Sequence, residues 1–166
     1  MTASISLTAS PNGALILTSM SDRPPANFWI ALLQISRAFI LSFTSLFNIG
    51  DRVGIAAPGY PSYRQILKSQ DLIPVDIQTE IQNKFQPIPE DIKKNNLNGI
   101  LVASPANPTG SMVDKETLKN LINAAHENNV SFISDEIYHG IQYENNPTTA
   151  LEITDKCYVI NSFSKY

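Results

Sequence analysis

From residue 50 onward the chain alternates short apolar runs with segments of helical repeat, and this alternation restricts its fold more than any other feature. The runs are RVGIAAP (Arg52–Pro58), GILVAS (Gly99–Ser104), VSFISD (Val130–Asp135) and KCYVINS (Lys156–Ser162). They are apolar on both faces, so they read as strands covered on both sides. DLIPVDI (Asp71–Ile77) is a further strand, placed at an edge because Pro74 has no N–H to give to a ladder. Between them, YPSYRQILKSQ (Tyr60–Gln70) opens with a proline and spaces Tyr63, Ile66 and Leu67 along one helix face. PIPEDIKKN (Pro87–Asn95) begins a short helix. In DKETLKNLINAAHENN (Asp114–Asn129), Asp114 caps a helix whose stripe is Leu118, Leu121, Ile122 and Ala125. Strands alternating with helices predict an α/β fold, a three-layer sandwich with a mostly parallel sheet.

Composition removes several classes of function. Hydrophobic residues are 43% and charged residues 16% of 166, the balance of a globular chain with a core of its own. A net charge of −3 gives no reason to expect nucleic acid or an anionic membrane as partner. Cys157 is the single cysteine, so there is no internal disulfide and no cysteine-rich metal site; it reads as a small apolar residue in a strand, with a catalytic thiol as the alternative. MTASISLTAS lacks the basic patch and apolar run of a secretory signal. FWIALLQISRAFILSFTSLF (Phe28–Phe47) has the length of a membrane span, but Gln34, Ser36 and Arg37 sit in its middle. An arginine at the centre of a span costs about 2.5–3.5 kcal/mol. A buried helix in a soluble, cytoplasmic protein is the expectation. The first 35 residues carry mixed signals and a break at Pro24–Pro25, and no element is assigned there.

Ligands of open α/β sheets bind outside the carboxyl ends of the strands. PANPTG follows GILVAS, DEIYHG follows VSFIS, and NSFSKY follows KCYVI. Three polar segments therefore share one rim. Asp135 ends an apolar strand, so its carboxylate needs a cationic partner or strong hydrogen bonds from elsewhere in the fold or from a ligand. Lys165, on the same rim, can serve as a nucleophile toward carbonyls once its proton is lost. A lysine for a Schiff base and an aspartate for a pyridinium nitrogen are the pair that pyridoxal phosphate (PLP) chemistry requires. Each segment alone has a plainer reading: NPTG as a turn, DEIY as a capped helix start, SFSK as a serine-capped helix with an exposed lysine. Their order, each after a strand, favours the shared site.

The segments GDRVGIAAPGYPSYRQIL, ASPANPTG, SDEIYHGI and NSFSKY resemble the class I/II aminotransferases, fold type I PLP-dependent enzymes related to aspartate aminotransferase. The resemblance runs from about Ala38 to Tyr166. It implies that Lys165 holds PLP covalently and then moves the proton between substrate carbon and cofactor. It implies that Asp135 pairs with the pyridinium nitrogen and that Tyr138 and Asn107 contact the phenolic oxygen, with Asn107 also meeting the substrate carboxylate. It implies further that Tyr60 stacks on the ring, that Ser162 donates to the phosphate, and that Pro108 and Gly110 shape the turn that presents Asn107. His139 is left a packing or supporting role. His126 is expected to face solvent or the helix dipole, and Tyr63 and Arg64 to serve helix packing or a subunit contact. The implied activity is transfer of an amino group from an amino acid to a 2-oxo acid by a homodimer. A PLP-dependent β-lyase, a non-catalytic regulatory module of the same fold and an inactive fragment stay open.

Two departures stand out. The family's small-residue phosphate loop has no clean counterpart: before AFILSF, Arg37 takes a glycine's place and Gln34 and Ile35 are large. TASPNGALIL (Thr8–Leu17) looks more like that loop but lies too far upstream. An insertion or reading-frame disturbance over residues 18–37 accounts for both, an idea that an uninterrupted frame shared by close relatives removes. The resemblance implies an arginine segment after the lysine and a small domain whose arginine grips the substrate carboxylate, and neither lies within these 166 residues. The expectation is an atypical segment at residues 1–37, a partial PLP-binding large domain at 38–166, and no small carboxyl-terminal domain.

Overall fold

The computed structural model describes the backbone of residues 5–9, 15–19, 28–143 and 146–162, with side chains from residue 36 onward. Its strands are β1 (Ile5–Ala9), β2 (Leu15–Ser19), β3 (Arg52–Ala57), β4 (Ile73–Gln78), β5 (Gly99–Ala103), β6 (Ser131–Asp135) and β7 (Tyr158–Ser162). They form one sheet in the order β1-β2-β7-β6-β5-β3-β4. β1 and β2 are antiparallel; every other pairing is parallel. The helices are α1 (Phe28–Leu46), α2 (Pro61–Ser69), α3 (Pro89–Lys94) and α4 (Lys115–Glu127).

Strand alternation sorts the apolar side chains into two cores, as a parallel sheet with helices on both faces requires. On one face Leu101 and Ile133 pack with Phe39 and Phe43 of α1 and with Tyr63 and Leu67 of α2. On the other, Ile100, Val102 and Phe132 pack with Leu118, Leu121 and Ile122 of α4. The three-layer α/β sandwich expected from the sequence is the observed fold. β4 closes one edge, where Pro74 lies opposite Val53. Asp114 caps α4, its Oδ1 accepting from Thr117 N at 2.9 Å and its Oδ2 from the Thr117 hydroxyl at 2.9 Å. The Thr117 amide holds the Asp114 carboxyl below its ordinary value. Gly99 opens β5 because a Cβ there would come within 2.2 Å of the Phe47 ring.

The amino-terminal segment departs from expectation. Thr8 and Ala9 lie in β1 and Leu15–Leu17 in β2, so TASPNGALIL leads from strand to strand and not into a helix, which removes it as a phosphate loop. Residues 10–14 of it lie outside the described residues. ISLTA and LILTS alternate around an Asn-Gly dipeptide, the strongest short-range sign of a hairpin, and that signal predicts the pair. The stretch at Phe28–Phe47 forms helix α1, as expected, and from residue 36 onward, where its side chains are described, one face is buried. Ala38, Phe39, Ser42 and Phe43 are covered, while Ile40 and Leu41 are exposed. Among the described residues no helix is long and apolar enough to cross a membrane. His126 is not simply turned to solvent: its Nε2 lies 2.8 Å from the Lys156 carbonyl oxygen, tying the end of α4 to the approach of β7.

Cys157 precedes β7 at the sheet's amino edge and packs in the α4-side core. Burial, then the charges of Glu136 and Asp155, push its thiol up to about 12. The thiolate is the reactive form. A disulfide reagent at neutral pH is therefore expected to modify Cys157 only after urea unfolding; stoichiometric labelling within seconds in the folded chain would contradict the packing role.

Candidate active site

All the parallel strands deliver their carboxyl ends to one edge of the sheet. In register, Ala103 lies beside Asp135, and Asp135 beside Ile160 of β7. Ser162 ends β7 two positions further on and is buried. The turn after β5 carries Asn107, and the turn after β6 carries Tyr138. Lys165 lies outside the described residues; β7, which precedes it, runs toward the same edge.

Asp135 is only 2% exposed, and its partner is one that the sequence reading did not find. The Tyr63 hydroxyl donates to Asp135 Oδ2, across 72 positions of chain. The Ile137 amide faces Oδ1 at 3.2 Å. Both are donors, the arrangement an ionised carboxylate needs. Tyr63 is thus not a packing or subunit-contact residue alone. The signal for it was faint: Tyr63 stands on the inward stripe of α2, but nothing local says which strand its hydroxyl reaches. Tyr60, just before α2, packs edge-on against Tyr63 with ring centroids 5.4 Å apart. Gly59 keeps this turn tight, since a Cβ there would lie 2.2 Å from the Ala56 carbonyl oxygen. Arg64 pairs instead with Asp76 at the surface.

Burial raises the Tyr63 phenol well above its ordinary value, and the charge and hydrogen bond of Asp135 raise it further. The protonated phenol is the form that folding favours. Its contribution is complete below about pH 10, the unfolded value, and is lost as pH climbs from there toward the folded value. Tyr63→Phe is expected to lower stability by about 1–3 kcal/mol at neutral pH. It should also flatten the fall in stability above about pH 10. Urea midpoints across that range check both; an equally steep fall in the variant would refute the assignment.

A second pair stands beside the first. Asn107 Nδ2 donates to the Tyr138 hydroxyl at 3.4 Å. The Tyr138 phenol is raised chiefly by burial, the Asn107 hydrogen bond opposes this, and the charge of Asp135 adds to it. Asp135 and three tyrosines thus share one electrostatic neighbourhood. Asn107 and Tyr138 face a cleft of about 730 Å³ whose other walls include Pro108, Gly110, Met112 and Ile141. Gly110 turns the loop with φ of 68°, as the reading of PANPTG expects.

Glu136 was also missed. Its side chain is 2% exposed, on the opposite face of the sheet from Asp135. Its Oε1 accepts from the Ser134 hydroxyl at 2.9 Å and from Ala150 N at 2.8 Å. His139 places Nε2 2.9 Å from the Ser104 carbonyl oxygen and Nδ1 3.4 Å from Glu136 Oε2, a supporting role of the kind expected for it. No cluster of metal ligands exists among the described residues.

Comparison with known proteins gives this site a context. Residues 36–166 match the family model described as aminotransferase class I and II. The chain is 42% identical over 135 residues to the valine–pyruvate aminotransferase of Mycobacterium tuberculosis, which covers 79% of this chain and 35% of that protein. A crystal structure from Silicibacter pomeroyi, with a provisional aminotransferase assignment, superposes with a TM-score of 0.76 at 59% identity, over 78% of this chain and 35% of that one. An aminotransferase structure from Mycobacterium tuberculosis superposes with a TM-score of 0.74 at 40% identity, over 78% of this chain and 36% of that one. The chain spans about a third of the length of the curated relatives it matches, 35% in both of the first two.

Proposed function

Because the chain belongs to the aminotransferase class I and II family, we propose that its sheet edge forms the cofactor-ring half of a PLP site, in a homodimeric cytoplasmic enzyme that transfers an amino group from an amino acid to a 2-oxo acid. The observation that carries this reading is the buried Asp135 carboxylate, held by Tyr63 at the carboxyl edge beside the Asn107–Tyr138 pair. The family is generally PLP-dependent, and the residues present fit that group. A carboxylate suits a protonated ring nitrogen, while a phenol and an amide, both donors, suit an anionic phenolic oxygen. When bound, PLP supplies an electron sink for the bond broken at the substrate carbon.

The chain's own residues then have distinct tasks. Asp135 would hold the proton on the ring nitrogen, and Tyr63 keeps the Asp135 carboxylate from turning. Asn107 and Tyr138 would hold the phenolic oxygen, and Asn107 would also meet the substrate carboxylate. Tyr60 would lie against the ring and Ser162 would donate to the phosphate. Lys165 would hold the cofactor through its amine and would serve as the acid and base at the substrate carbon. Excluding water from the edge strengthens each of these contacts.

The test is chemical. The chain is incubated with PLP, reduced with borohydride and digested. The pyridoxyl mass is expected on the peptide that contains Lys165. Label on another lysine, or none, overturns the proposal.

A further inference from the structure

We propose that His139 is a positioning residue: its ring links the Glu136 carboxylate to the Ser104 carbonyl and so sets the contact between Tyr138 and Asn107. Its bearing on the cofactor rests on the reading above; the contact itself does not.

The two gripping side chains come from separate loops, each closed on itself. The Asn107 loop is cinched at its base where Val113 N donates to Ser104 Oγ at 3.0 Å. Inside it, Ala106 N donates to Ser111 O at 2.9 Å and Gly110 N to Ala106 O at 2.7 Å. The buried Gln86 amide adds a bond to Ala103 O at 3.0 Å and one to Ser111 Oγ at 3.1 Å. The Tyr138 turn is closed by His139 N donating to Glu136 O at 3.0 Å. Each loop therefore moves as a unit, and Ser104 is the hinge of the first.

Among the described residues, two hydrogen bonds to Ser104 join the loops at that hinge. The ladder gives one, Ser104 N to Asp135 O at 3.1 Å. The His139 ring gives the other, Nε2 to Ser104 O at 2.9 Å. The ladder bond and the Gln86 amide hold the Asn107 loop at its base; the His139 ring couples it to the turn that carries Tyr138. Glu136 in turn anchors the ring. Its carboxylate is held from Ser134 and Ala150, so His139 Nδ1 meets a fixed partner at 3.4 Å. The Asn107–Tyr138 contact is 3.4 Å long, near the limit for a hydrogen bond, so a small tilt of either loop removes it.

The test needs no cofactor, so its failure is separate from failure of the PLP reading. In the 166-residue chain, the Asn107 side-chain amide cross-peak is followed by ¹H–¹⁵N spectroscopy. Tyr138→Phe removes the acceptor and marks the unbonded position. His139→Phe, which keeps the ring's bulk without its nitrogens, is expected to move the peak to that position. His139→Gln, whose amide reaches Ser104 in place of Nε2, is expected to keep it where it is in the parent. An unmoved peak in His139→Phe overturns the proposal, as does an equal displacement in both variants. Should His139→Phe not fold, His139→Asn is used, since its shorter side chain stops short of Ser104. Displacement in His139→Asn and none in His139→Gln supports the link, and any other combination refutes it. If PLP loads as proposed, the pH midpoint of the cofactor's visible absorbance should also move in His139→Phe and return in His139→Gln.

Discussion

Asp135→Ala is expected to weaken PLP binding by about 10- to 150-fold. A hydrogen bond to a charged group is worth about 1.5–3 kcal/mol, and about 1.4 kcal/mol is tenfold in affinity. The same change strands the Tyr63 hydroxyl, which is buried and donates to Asp135. Stability should fall by about 1–3 kcal/mol for that unmet donor. Asp135→Asn separates the two effects. An asparagine still offers Tyr63 an acceptor oxygen but brings no charge to the ring nitrogen. Its amide nitrogen then faces the Ile137 N–H, so its stability should fall, though less than that of Asp135→Ala, while its affinity falls with that of Asp135→Ala. Absorbance titration with PLP and urea unfolding read the two quantities. Parent-like affinity in Asp135→Ala would remove this carboxylate from the site.

Phe132→Ala should cost about 3–5 kcal/mol, the range for deleting a fully buried aromatic side chain. Phe132 is 1% exposed and packs on the α4 side of β6, among Leu118, Leu121 and Ile122. Domain stabilities are about 5–15 kcal/mol, so this single cavity removes much of the margin. The loss should spread to the site, because Phe132 and Asp135 share β6 and its pairing with both neighbouring strands. Urea unfolding followed by tryptophan-independent circular dichroism measures it. A drop under about 1 kcal/mol would mean that the neighbours close the cavity and that the strand is less tightly held than its burial implies.

The parts of the fold that were legible from the sequence are those whose signal is local. β5 is wholly apolar, and β6 and β7 each carry apolar residues toward both faces, so two-sided burial was readable. Pro74 announced an edge and Asp114 announced a cap, and both hold. The hairpin of β1 and β2 was readable in principle from its Asn-Gly flanked by alternating residues, but the small residues of TASPNGALIL suggested a loop around an anion instead. The helix at Phe28–Phe47 was right in type; over its described side chains, from residue 36 onward, Phe39 and Phe43 are buried while Ile40 and Leu41 are exposed, which an apolar run alone does not distinguish.

The site divides along the same line. Asp135, Asn107, Tyr138 and Tyr60 are in motifs, and the structure brings them to one edge. Tyr63 was hidden because its partner is 72 positions away and no short motif spans that distance. Glu136 was hidden by its neighbour, since two successive acids read as one polar turn until the alternation of the strand separates them. Lys165, on which the covalent step of the proposal depends, lies outside the described residues, so its assignment rests on the motif and on the labelling experiment.

The side-by-side acids Asp135 and Glu136 also make β6 intolerant of frame errors. One carboxylate belongs to a tyrosine on one side of the sheet, the other to a serine, a backbone amide and an imidazole on the other. Slipping the strand by a single residue would turn each acid to the opposite face of the sheet, away from its own donors. Deleting or duplicating one codon within β6 should therefore be far more damaging than most point substitutions there, and libraries that diversify this strand should vary identities while keeping its length fixed.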